Sequence, residues 1–191
     1  MRWYSFIGVF LALLAIIGIV FTSLPVPTQT TTIPFYNGET QAGTLSLTLP
    51  QEIRASDEAE VTLQVDYLRG SGTETNKLIG RLESGDLLVS PKGEGQVLID
   101  PQKSTYFTWK IRSLSWGECG GVIWLFEQKP GAEPGLILSR RFTLSSVLFL
   151  GLTYSLARIL SFSLLVVGIG LIIPYALRKL KKSRYSLAED S

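Results

Sequence analysis

Hydrophobic positions gather near the two ends of this 191-residue chain. An uncharged apolar run covers residues 5–24, a second covers residues 144–177, and polar, strand-like sequence fills the interval. A helix of about 20 apolar residues matches the roughly 30 Å hydrocarbon core of a bilayer. The first run is longer than the apolar region of a signal peptide and lacks an A-x-A-like cleavage site, so we expect an uncleaved anchor. The pattern predicts two transmembrane helices, residues 5–24 and 158–177, flanking an extracytoplasmic domain at residues 25–143.

The second run is longer than one membrane crossing requires, since its residues would extend about 51 Å as a helix. Arg158 lies within it, and a charge at the bilayer centre costs at least about 2.5–3.5 kcal/mol. We therefore expect Arg158 near the outer interface, with its guanidinium reaching lipid phosphates. Residues 144–157 then form an interfacial stretch or the top of one long helix. The alternative makes Arg158 a buried interface residue that pairs with an acidic group, or with a cofactor, of a neighbouring subunit.

Basic residues follow the second run closely, and we call them the collar: Arg178, Lys179, Lys181, Lys182 and Arg184. Short basic flanks stay cytoplasmic, so residues 1–4 and the tail 178–191 are predicted inside, in a two-pass protein of the plasma membrane. The middle segment, residues 25–143, has 14 acidic and 11 basic residues, a net charge of about −3, against +2 for the whole chain. The collar is also suited to attract anionic lipid, although a topology signal alone accounts for it.

Small residues recur along both apolar runs. Gly8, Ala12 and Ala15 fall on one stripe of the first helix, and Ser161 and Gly168 lie seven residues apart on the second. Small side chains let helix backbones approach closely in lipid. We expect the two helices to pack against each other, with packing against a larger partner as the alternative.

The middle segment alternates apolar and polar residues with a period of two. The alternation is clearest at residues 43–50, 61–67 and 106–114, and turn signals separate seven or eight such stretches. This spacing predicts an immunoglobulin-like or fibronectin-like β-sandwich, with a small β-barrel as the alternative. The chain has one cysteine, so the sandwich would form without an intramolecular disulfide.

Aromatic residues of this segment fall into two groups. Phe107 and Trp109 alternate on one predicted strand, and Trp124 and Phe126 alternate on the next, so all four are expected in the core. Trp116 lies in the glycine-containing turn between these strands. Because tryptophan is enriched at binding hot spots, we consider Trp116 an interface residue for a protein partner, with packing over the end of the sandwich as the alternative.

Residues for catalysis and cofactor binding are scarce. The chain has no histidine, which removes Ser-His-Asp catalysis and the usual zinc sites. Cys119 has no base nearby in sequence, and free cysteines are usually buried, so we expect an inert thiol. The acidic cluster at residues 57–60 lacks the ligand spacing of a calcium loop. We therefore predict no catalytic, cofactor-binding or metal residues, and the mild negative charge argues against nucleic-acid binding.

These features favour a non-catalytic integral membrane protein over an enzyme. We expect an accessory or structural subunit that docks its outer β-domain and helix pair onto a larger membrane assembly. Its partners would be the lipid bilayer and either other membrane proteins or further copies of itself. The alternative is an extracytoplasmic receptor or sensor module that binds a ligand and signals through a partner.

Overall fold

The computed structural model describes residues 2–37, 39–68, 76–100 and 102–189. The chain divides into two compact units. One, which we call the sandwich unit, is Val26–Leu148, and the other, the helix unit, combines Met1–Pro25 with Phe149–Ser191. The helix unit contains α1 (Arg2–Ser23) and α2 (Tyr154–Glu189).

Ten strands lie within the described part of the sandwich unit. In chain order they are β1 (Thr28–Asn37), β2 (Thr40–Pro50), β3 (Glu52–Arg54), β4 (Glu58–Tyr67), β5 (Lys77–Glu83), β6 (Leu87–Ser90), β7 (Glu94–Leu98), β8 (Thr105–Ser113), β9 (Gly117–Gln128) and β10 (Gly135–Val147). They form two five-stranded sheets, with orders β1-β2-β4-β8-β6 and β3-β10-β9-β5-β7. Neighbouring strands are antiparallel except β3 and β10, which run parallel. The predicted β-sandwich is confirmed.

The core begins with the three central strands of the first sheet. Every second side chain of β2, β4 and β8 points inward, as the pleat of a strand requires. Leu45 pairs with Val65, and Val61 pairs with Trp109. All four side chains are almost completely buried. The alternation in the sequence therefore has its physical cause in a single buried face.

Contact between the two sheets depends on a glycine. The ring of Phe107, on β8, lies against Gly80, on β5 of the other sheet, where a Cβ would come within 2.6 Å of Cδ1 of the ring. A strand backbone without a side chain thus makes room for an aromatic ring. Phe107 and Trp109 are both in the core, as predicted.

The expected faces of β9 are wrong. Ile123 and Leu125 are fully buried, whereas Trp124 and Phe126 lie on the outer face and stack with ring centroids 6.4 Å apart. The indole Nε1–H of Trp124 donates a hydrogen bond to Oε2 of Glu83 at 3.0 Å. Residues 122–126 are all apolar, so alternation could not mark the inward face. The smaller branched side chains fill the core, and the tryptophan keeps its N–H paired outside.

The interpretation of residues 144–157 as one interfacial or helical stretch is also wrong. Leu144 is buried in the sandwich core, because β10 continues to Val147. A tight turn follows, in which Phe149 and Leu152 exchange backbone hydrogen bonds of 2.8 and 3.0 Å. Helix α2 begins only at Tyr154. The apolar run thus contains a strand end, a turn and a helix start.

Trp109 tests this account of the core. Trp109→Ala in the full-length protein is expected to cost about 3–5 kcal/mol, because it removes a fully packed aromatic side chain. Trp124→Ala is the matched control, and its half-buried ring on the outer face should cost clearly less. Denaturant unfolding followed by near-ultraviolet circular dichroism measures both. Equal losses for the two variants would contradict the assignment of the buried face.

Candidate functional site

The helix unit is held together by a contact between two glycines. A Cβ on Gly8 of α1 would lie 2.9 Å from the carbonyl oxygen of Gly168 on α2, and one on Gly168 would lie 2.8 Å from that of Gly8. A Cβ on Gly168 would also lie 2.9 Å from the backbone nitrogen of Ala12. The two backbones therefore touch at a point where larger side chains do not fit.

The seam between the helices continues along the remaining small residues. Gly18 lies against the hydroxyl of Ser161, which is buried, and Ala15 is fully buried. Gly8 meets Gly168 near the start of α1, and Gly18 meets Ser161 near its end, so the helices are antiparallel. The structure thus brings together the small residues that the sequence placed on two helix faces.

Arg158 has a partner that neither sequence interpretation identified. Its Nη2 donates a hydrogen bond of 2.9 Å to the carbonyl oxygen of Thr22, in the last turn of α1. The last carbonyls of a helix lack intrahelical donors and carry partial negative charge. The guanidinium therefore caps α1 from the neighbouring helix and joins the two helices beside Gly18 and Ser161.

The outward faces of the helices are apolar. Phe6 and Val166 are 73% and 70% exposed. Two segments, Phe6–Ser23 and Tyr154–Pro174, are long and apolar enough to cross a membrane by length and composition. The backbone of α2 remains helical through the collar, whose side chains fall outside the described part of the chain.

The other two residues singled out from the sequence lie in the sandwich unit. Trp116, in the turn between β8 and β9, is 74% exposed. Cys119 is buried, and its Sγ–H donates to the carbonyl oxygen of Leu144 at 3.5 Å. Burial raises the pKa of the Cys119 thiol, which favours its protonated form. The prediction of a buried cysteine is confirmed.

Sequence reasoning missed a cleft between the two sheets. It has a volume of about 470 Å³ and lies between β1 and β10, at the end of the sandwich away from Thr28 and Val147. Its lining includes apolar side chains from both sheets: Ile33, Phe35, Ala42, Leu45, Leu136, Ile137 and Leu138. Tyr67 and Glu127 contribute polar groups. No local sequence pattern predicts this cleft, because the cleft depends on the residue at which β10 stops pairing with β3.

The cleft is open because two strand edges face it. β1 is the outermost strand of its sheet, and β10 pairs with β3 only over its last three residues, Ser145–Val147. Within the described residues, the rest of β10 has a strand on one side only, namely β9. Arg140 pairs with the fully buried Ile123 and so lies on the inner face, yet it is exposed. The sandwich is therefore uncovered along this side.

Tyr67 is the notable polar group of the cleft. Its hydroxyl is buried and has no hydrogen-bond partner among the described residues. Burial, and secondarily the charge of Glu127, raise the pKa of Tyr67. Glu127 accepts a hydrogen bond of 2.6 Å from Nδ2 of Asn76, and the ring of Phe35 meets that of Tyr67 edge-on at 5.2 Å. An unsatisfied buried hydroxyl costs about 1–3 kcal/mol.

Metal ligands are not grouped in the part of the chain that the structure describes, where no three His, Cys, Asp or Glu residues could hold an ion together. Besides Glu127, the charged residues Lys129 and Glu133 line the cleft.

No protein-family model matches the chain, and no curated protein matches its sequence. Among solved structures, it is similar to the complex of zinc 2-glycoprotein and prolactin inducible protein from human seminal plasma, with 11% identity and a TM-score of 0.41 over 65% of this chain and 98% of that chain. A PapD-like domain of human CEP192 has 10% identity and a TM-score of 0.37, over 66% and 92% of the two chains. A lipoprotein from Bacteroides thetaiotaomicron has 13% identity and a TM-score of 0.32, over 65% and 84%. Likenesses this distant carry no argument about function.

The glycine contact in the helix seam makes a specific prediction. Gly168→Leu should destabilise the helix pair by about 1–3 kcal/mol, because the added side chain meets the backbone of α1. Gly170→Leu, two residues away with open space around its Cα, is the matched control and should be silent. Sodium dodecyl sulfate titration in mixed micelles, followed by energy transfer between dyes at positions 4 and 173, reports helix separation. Indistinguishable titrations of the two variants would show that the seam does not hold the pair.

Proposed function

We propose that this chain is a non-catalytic, two-pass membrane protein that acts as an accessory subunit. It anchors an immunoglobulin-like or fibronectin-like sandwich outside the plasma membrane, with both termini in the cytoplasm, and docks that domain onto a larger membrane assembly. The observation that carries the proposal is the open cleft between β1 and β10. Two apolar helices that pack on each other supply the anchor.

The cleft suits an extended protein segment. A strand edge presents a row of backbone N–H and C=O groups, and a peptide that adds as a strand pairs with them. The uncovered part of β10 offers such an edge, and the apolar lining beside it can take alternate side chains of the added strand. Arg140, inward-facing and exposed, would limit indiscriminate pairing, which is how natural proteins protect sheet edges.

The helix seam makes a smaller contribution to docking. The small residues of the seam, Gly8, Ala12 and Gly168, contact one another, so they are not needed to bind a larger partner. This shifts the proposed docking surface from the helices to the sandwich. It also explains why the small residues are present without requiring a second membrane protein.

A second candidate function is the receptor or sensor module. The volume of the cleft, about 470 Å³, lies within the range of small-molecule sites. In this case the same apolar lining would hold a small ligand rather than a peptide strand. After mild solubilisation, an accessory subunit would keep a bound protein partner, whereas a receptor module would keep a bound small molecule.

Leu136 tests the docking surface. It is 55% exposed beside the cleft, so Leu136→Arg should abolish stoichiometric co-purification of a protein partner without lowering the melting temperature. Leu98→Arg is the matched control, since Leu98 is 60% exposed on the edge strand β7, at the far side of the same sheet. The measurement is the mass and composition of the detergent-solubilised protein, by light scattering and native mass spectrometry.

Wild-type protein and Leu98→Arg are expected to carry the partner, and Leu136→Arg to run at its own mass. A partner retained by all three proteins would place docking elsewhere. Wild-type protein without a protein partner, but with a small molecule that Leu136→Arg loses, would favour the receptor function instead.

A further inference from the structure

An exposed tryptophan lies at the end of the sandwich opposite the cleft. Trp116 is 74% exposed, and Leu114, two residues earlier in the same turn, is 59% exposed. The strand register places this turn beside the chain's exit from the sandwich, because Gly117 pairs with Ser146 and β10 ends one residue later. The first strand begins at the same end, where Thr28 pairs with Pro50 and β3 follows to pair with Val147.

We infer that this turn, residues 114–117, is a lipid-contacting anchor that rests in the outer interface of the bilayer. The inference rests on the proposed two-pass topology. Only residues 24–27 connect α1 to β1, and four extended residues reach at most about 14 Å. In the proposed topology α1 ends at the outer interface, so this linker length limits how far the start of β1 can lie from the headgroups.

Lipid fits the chemistry of the turn better than a protein partner does. Tryptophan is enriched at membrane–water interfaces, where its ring is buried among acyl chains and its N–H reaches polar headgroups. Leu114 adds apolar surface beside it. The docking cleft lies at the other end of the sandwich, so the two surfaces do not compete.

The helix unit has an independent feature of the same kind. Leu150 is 88% exposed and has a φ of 51°, a left-handed conformation that leucine rarely adopts. It lies at the tip of the turn between Phe149 and Leu152, just before α2 begins. A bulky apolar side chain held outward in an unfavourable conformation gains nothing in water. Insertion of the Leu150 side chain among lipid chains, at the start of a membrane helix, would bury its apolar surface and offset the cost of this backbone conformation.

Depth-dependent fluorescence quenching tests the anchor in the full chain. Trp3→Phe and Trp124→Phe leave Trp109, which is buried, and Trp116 as emitters in phosphatidylcholine nanodiscs. A lipid with a nitroxide close to the headgroup should remove most of the Trp116 emission, and a lipid with a nitroxide near the acyl terminus should remove little. Subtracting the spectrum of the further variant Trp116→Phe isolates the signal.

Tyr36→Trp, added to the variant that lacks Trp116, is the matched control. Tyr36 is 61% exposed at the cleft end of the sandwich, so its replacement should be quenched by aqueous iodide and by neither lipid. A further variant that keeps Trp3 and lacks Trp116 reports on the membrane helices.

If Trp3 is quenched by the shallow nitroxide but Trp116 responds only to iodide, the anchor is wrong and the two-pass proposal stands. If neither tryptophan responds to lipid, the two-pass proposal itself fails. Quenching of Trp116 and of the residue 36 reporter to the same degree would also overturn the anchor.

Discussion

The close contact between the backbones of α1 and α2 is the interaction on which the rest of the arrangement depends. In lipid, helices gain nothing by hiding apolar side chains, so their association needs close approach and interhelical hydrogen bonds. Gly8 and Gly168 provide the approach, and Arg158 provides a hydrogen bond to Thr22. Because the helices are antiparallel, the end of α1 and the start of α2 lie at the same end of the helix pair. In the sandwich, β1 likewise begins and β10 ends at one end of the fold.

The same topology leaves the cleft end of the sandwich, opposite the start of β1 and the end of β10, free to bind a partner. β3 is three residues long and covers only the last residues of β10. A longer β3 would close the side of the sandwich and bury the edge of β10, so the cleft exists because this strand is short. The Tyr67 hydroxyl, buried and without a partner among the described residues, lies in that cleft.

Much of the fold could be predicted from the sequence because one face of β2, β4 and β8 is buried, which produces clear alternation. Alternation does not mark β1, because its first five residues, 28–32, are all polar. The faces of β9 were reversed because residues 122–126 are uniformly apolar. The cleft and the hydrogen bond from Arg158 to Thr22 could not be predicted, since each depends on residues far apart in sequence. Local sequence patterns indicate which side chains are buried. The residue at which strand pairing ends, and polar contacts between distant residues, depend on the tertiary structure.

The central claim is that the sandwich lies outside the membrane, held by a helix pair with both termini inside. Site-directed thiol labelling of intact cells measures this directly, in a Cys119→Ala background. One reporter cysteine replaces Lys92, which is exposed before β7, and another replaces Ser183, which lies beyond the second apolar segment. A membrane-impermeant maleimide should label the position 92 reporter before lysis and the position 183 reporter only after it. Labelling of position 183 in intact cells, or protection of position 92, would contradict the account.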